Sequence, residues 1–156
     1  MITIDERIDV PASPETVWSI LSDPHQVVNC LPGATLGEEH EDGSFDGSIT
    51  VQVGPLKIRF KVRLRMVLDE TARMGRVSAS GKEAQFGTQV EATWQFAVAE
   101  DDPSASLVTL TGRIEIKGPF AGLIDGGAKA IAQHVTQQFG ERLTRMAREA
   151  EATATA

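Results

Sequence analysis

The chain has 156 residues, 41% of them hydrophobic and 24% charged, a make-up that excludes a disordered or fibrous protein and matches one globular domain. Fifteen Lys and Arg against 22 Asp and Glu leave a formal net charge of −7, which argues against nucleic acid as a partner because a phosphate backbone needs concentrated cation. A single cysteine excludes an internal disulfide and suits a reducing compartment.

The segment Met1–Arg7 carries charge of both signs without an apolar run, which is not the build of a signal peptide. No apolar stretch approaches the ~20 residues of a membrane span. The expectation is a soluble, cytoplasmic protein with a single domain over residues 1–150 and a small-residue tail, 151–156, that frays.

Ile2, Ile4, Ile8 and Val10 alternate with polar residues and predict a half-buried first strand, ended by Pro11. Ser13-Pro14-Glu15 is a helix start: a capping hydroxyl, a proline suited to the first turn and an acid that complements the dipole. Asp23-Pro24 repeats the device and opens a second short helix.

From Thr35 the period changes to two. Asp42-Gly43 and Gly54-Pro55 predict turns on either side of a strand from Phe45 to Val53. The clearest strand comes next. Leu56, Ile58, Phe60, Val62, Leu64, Met66 and Leu68 share one face, and Lys57, Arg59, Lys61, Arg63 and Arg65 share the other. At ~3.4 Å per residue it spans roughly 40 Å, so it must bend around something. Shorter alternations at Arg76–Gly81, Thr88–Val98 and Leu107–Lys117 complete an antiparallel run, which Gly118-Pro119 closes.

Phe120, Ile124, Ala128, Ile131, Val135, Phe139 and Met146 then recur at steps of three and four, flanked by Leu123 and Leu143. Lys129, Gln133, Gln137, Glu141 and Arg145 take the opposite face. This predicts one amphipathic helix from about Phe120 to Ala150, roughly 45 Å long.

The elements define an α+β fold: a curved antiparallel sheet wrapped around a long C-terminal helix, with two short helices after the first strand. A curved sheet and a straight rod fit imperfectly, and the gap between them is an apolar site for a small molecule. The positions expected to face it are Ile58, Phe60, Val62, Leu64, Val77, Trp94, Phe96, Leu110 and Ile114 on strands. Ile124, Ala128, Ile131 and Val135 face it from the helix. Trp94 and Phe96 are large enough to stack on a flat ring.

This order of elements resembles the START-like (SRPBCC) helix-grip superfamily, and more specifically the CoxG family, that of the carbon monoxide dehydrogenase G subunit. The resemblance rests on Val10-Pro11-Ala12, Val17-Trp18, Leu21, Asp23-Pro24 and, most specifically, Cys30-Leu31-Pro32-Gly33-Ala34. It continues through Phe45-Asp46-Gly47-Ser48-Ile49, Val53-Gly54-Pro55, Phe60-Lys61, Gly75-Arg76-Val77, Gly118-Pro119-Phe120 and Leu123-Ile124-Asp125. It implies a non-catalytic accessory protein that carries a lipophilic ligand, a quinone, in place of a resident cofactor. The implied partners are the components of a molybdenum carbon monoxide dehydrogenase or related hydroxylase, with peripheral contact at the inner face of the cell membrane.

The residues themselves supply little catalytic equipment. There is no tyrosine. His25, His40 and His134 lack metal-ligand spacing, and the Glu38–Asp42 stretch around His40 reads as a solvated acidic turn. Cys30 has no base beside it and reads as a buried thiol. Asp125 is either a carboxylate favoured by the helix dipole or a polar anchor at the cavity mouth. Gly126-Gly127 weakens the helix, either by drift or because a side chain there would fill the gap or strike the sheet.

Two alternatives stay open. One is an enzyme of the polyketide cyclase/aromatase type, which needs an acid or base reaching into the cavity. The other is a docking or maturation adaptor with an incidental cavity, using the Lys57–Arg65 basic row against an acidic partner or anionic headgroups.

Overall fold

The computed structural model describes residues 1–155. The alternating segments form β1 (Ile2–Val10), β2 (Ala34–Glu39), β3 (Phe45–Val53), β4 (Leu56–Asp69), β5 (Met74–Glu83), β6 (Gln89–Asp102) and β7 (Ala105–Lys117). They make one curved antiparallel sheet in the order β1-β7-β6-β5-β4-β3-β2. Strands β2 to β7 succeed one another by hairpins, and β1 closes against β7 with Ile2 opposite Ile114 and Val10 opposite Ser106.

Two short helices bridge β1 and β2. In α1 (Pro14–Leu21) the Ser13 side chain accepts the Thr16 N–H at 3.3 Å, and in α2 (Pro24–Val27) Asp23 accepts the His25 N–H at 2.9 Å. Both caps stand where the Ser-Pro and Asp-Pro pairs place them. A single 3-10 turn, Val28–Cys30, comes after α2.

The inward face of the sheet carries Phe60, Val108 and Leu110. It meets Val17, Ile20 and Leu21 of α1 and Phe139, Leu143 and Ala147 of the C-terminal helix, all of them buried. Chain crossings here are tight. A Cβ on Gly81 would run into the Lys61 carbonyl oxygen of β4, and one on Gly75 would strike the Phe96 ring lying over it. Only glycine permits either approach.

The terminal helix differs from expectation in three ways. It is in two pieces, α3 (Ala121–Gly126) and α4 (Ala128–Thr155), broken at Gly127, where φ and ψ are −99° and 7°. Two adjacent glycines carry no propensity to hold that turn together.

Its buried stripe is also broader on the Leu143 side. Leu143, expected on the flank, is fully buried with Phe139 and Ala147, whereas Leu123 is 48% exposed. Finally, the segment expected to fray from Glu151 is helical through Thr155. Glu151 Oε1 accepts the Ser13 N–H at 2.8 Å and ties this turn to the start of α1. Ala156 lies outside the described residues.

Candidate functional site

The grip of α4 on the sheet is uneven. Its later turns are sealed, with Phe139 2% exposed and Leu143 and Ala147 at 0%, whereas Ile131 and Val135 near its start are only half-buried. Space therefore opens under the first turns of the helix.

Two apolar chambers lie between sheet and helices, of about 60 Å³ and about 80 Å³. Leu31, Ala34, Ile49 and Trp94 border both and form the partition between them. The larger chamber meets a wider outer groove of about 450 Å³ between β3 and the start of α4. The two share Pro32, Ile49, Val51, Ile131 and Val135 as a common wall. Lys57 and His134 stand on that groove and not on the chambers.

Of the expected positions, Val62, Leu64, Val77, Phe96 and Leu110 line the smaller chamber, and Phe60, Ile114, Ile131 and Val135 line the larger. Trp94 lines both. Ile58, Ile124 and Ala128 line neither: Ile58 and Ile124 are packed within the core, and Ala128 sits partly buried against it.

Periodicity misses Leu31, Pro32 and Ala34, because the first two come after a 3-10 turn outside any strand or helix and Ala34 only opens the short strand β2. The signal that could have found them is the Cys30-Leu31-Pro32-Gly33-Ala34 segment itself. Gly33 has φ +75°, and a Cβ there would meet the Thr50 carbonyl oxygen at 2.5 Å, so the segment is pressed onto β3. Ile49 and Phe139 are further lining residues outside the expected set, and each borders a chamber.

The chemistry inside is sparse. No Asp, Glu or His borders either chamber. In the smaller chamber Thr35 and Ser48 satisfy each other at 2.5 Å, and Arg65 is turned to Asp42 at 2.9 Å. Burial pushes the Cys30 thiol up to about 11, and its hydrogen-bond partner is Met146 Sδ at 3.6 Å, so it offers no thiolate.

Asp125 lines no chamber; it pairs with the Met1 ammonium at 2.8 Å. His40 Nε2 lies 2.8 Å from Asp46 and 3.1 Å from Arg63 at the β2–β3 hairpin, away from both chambers. His25 stacks edge-on to Phe45 with 5.8 Å between ring centroids. Among the described residues no cluster of His, Cys, Asp and Glu could hold a metal ion, and no helix is long and apolar enough to cross a membrane.

A curved sheet closed over a long terminal helix, with an apolar hollow between them, defines a START-like protein. The same fold is found in a conserved protein from Geobacillus kaustophilus, at 16% identity and TM-score 0.80 over 95% of this chain and 96% of that one. The Zhui aromatase/cyclase from Streptomyces matches at 16% identity and TM-score 0.64 over 94% and 93%. A START superfamily protein from Mycobacterium smegmatis matches at 17% and 0.61 over 96% and 99%.

No curated protein matches the sequence. The profile of the CoxG family, the carbon monoxide dehydrogenase G subunit, matches residues 7–147, and the chain belongs to that family.

Proposed function

We propose that this protein is a non-catalytic accessory carrier. It holds a lipophilic molecule, a quinone, in the chambers between sheet and helix, and serves a molybdenum carbon monoxide dehydrogenase or related hydroxylase. The observation that carries the reading is the apolar hollow bordered by no acid, base or thiolate. Such a lining favours holding a guest over transforming it, because acid–base chemistry needs a titrating group within hydrogen-bond reach of the reacting atom. Cyclases share the fold, but at 16% identity that likeness concerns the fold alone.

The carrier exchanges its guest at the membrane from a cytoplasmic position. Lys57, Arg59 and Lys61 make no ion pair with the described residues, and Lys61 stands opposite Lys82 in the sheet register. Like charges opposed across strands are unfavourable, and an anionic surface relieves them.

Thermal melts of the purified protein with short-chain menaquinone and ubiquinone analogues test the carrier. Ligand at a hundred times Kd stabilises the folded state by about 2.7 kcal/mol, several degrees for a domain of this size. A melting temperature that no prenylated quinone raises overturns the reading.

A further inference from the structure

The carrier reading leaves open how a guest is admitted and oriented, and one side chain of the hollow bears on both; its role rests on that reading. Every side chain bordering the larger chamber is aliphatic or aromatic, and the one polar side-chain atom among them is Nε1 of Trp94. That N–H has no acceptor among the described residues, and it is not a sealed atom either. Among those residues the single buried side-chain polar atom without a partner is Thr136 Oγ1. A fully buried indole ordinarily finds a partner for its N–H; this one, half-buried on the wall of the hollow, has its donor unused.

The volumes point to the same residue. Chambers of about 60 Å³ and about 80 Å³ are each well below the ~150 Å³ of a dry apolar cavity that accepts benzene. Movement of the partition of Leu31, Ala34, Ile49 and Trp94 would join the two into a space that houses a ring away from the outer groove. Trp94 is the largest member of that partition and is only half-buried. Its neighbour across β7 is Gly112, which sets no side chain against the indole, and across β5 it is Val77. Phe96, by contrast, is held over Gly75 and against Trp18, with ring centroids 6.0 Å apart.

We infer that Trp94 is both the gate and the polar anchor of the cavity: its ring swings to join the two chambers, and its N–H donates to a carbonyl oxygen on a flat, otherwise apolar ring. The specificity is for such a carbonyl over the hydrocarbon of the same shape. A site that supplies the matching donor discriminates by the hydrogen bond lost when the acceptor is missing.

The test is calorimetric titration of the full chain with menadione and with methylnaphthalene, its counterpart without carbonyls. Wild-type protein is expected to prefer menadione by about five- to tenfold. Trp94→Phe, which keeps an aromatic partition, narrows that ratio to within about twofold while hydrocarbon binding holds. Independently of any variant, the Trp94 indole N–H proton resonance of wild-type protein moves downfield with menadione and not with methylnaphthalene.

Equal binding of both probes, with a menadione affinity unchanged in Trp94→Phe and a still N–H resonance, overturns this inference and leaves the carrier standing. Binding of neither probe to the wild type overturns both.

Discussion

Glu83 is the most demanding residue of the described structure: a carboxylate 3% exposed with no cation paired to it among the described residues. Desolvation acts to raise its pKa. The N–H groups of Thr88, Phe86 and Gln85, which donate to it at 2.8 to 3.1 Å, outweigh that and hold it below the ordinary glutamate value. A ring of backbone donors does here what a lysine does elsewhere, and it fixes the β5–β6 hairpin on which Thr88 meets the Phe120 N–H at 3.2 Å.

Because the folded pKa is depressed, this contribution to stability is full above the unfolded value and fades as pH falls through the folded one. Glu83→Gln is therefore expected to lower the melting temperature at neutral pH. The deficit shrinks in acid, where the wild type loses its own charge. Melts recorded from pH 7 to pH 3 check this, and a deficit constant across that range contradicts it.

At the scale of elements, the strands and the capped helices are legible because their signals are local. An alternating face of seven apolar positions on β4 has one way to meet a core, and Ser13 and Asp23 each cap the turn beside them. The site is half legible for the same reason: strand positions such as Phe60, Val62 and Trp94 face inward by parity. Which of them touch open space depends on how α4 leans, and periodicity does not encode that. Ile58 and Ile124 share the pattern and are sealed.

The break at Gly127 is hidden from periodicity, since a stripe of apolar residues runs through it unchanged. The idea that a side chain there would strike the sheet is corrected by geometry, although Gly127 does border the outer groove. A Cβ on Gly126 meets nothing within 4 Å, and one on Gly127 finds ordinary contacts at 3.7 and 3.8 Å. The double substitution Gly126→Ala, Gly127→Ala is thus expected to raise stability by up to about 1 kcal/mol per site and to increase helicity. Circular dichroism melts measure both, and a fall in stability shows that the break is required.

For the molecule as a whole, the organising feature is the separation of charge. A chain of net charge −7 gathers five cations on the outer face of one strand, and among the described residues only Arg63 and Arg65 are matched, by Asp46 and Asp42. Reversing two of the unmatched ones, Arg59→Glu with Lys61→Glu, is expected to weaken sedimentation with phosphatidylglycerol vesicles more than tenfold, at about 1 kcal/mol per cation near the surface. Phosphatidylcholine vesicles provide the comparison. Undiminished binding to anionic vesicles removes the membrane from the proposal.

The open sheet has one further consequence, for solubility at high concentration. Its two margins are β1 and β2. The first lies beside α4, where Ile8 packs on Gly140. The second is six residues long, loses register between Leu36 and Glu39, and ends in Glu38 and Glu39. A second copy approaching that margin in antiparallel fashion finds a kinked ladder and a row of carboxylates facing its own. Stacking of copies into a continuous ribbon is opposed by the shape and charge of a few residues at the rim.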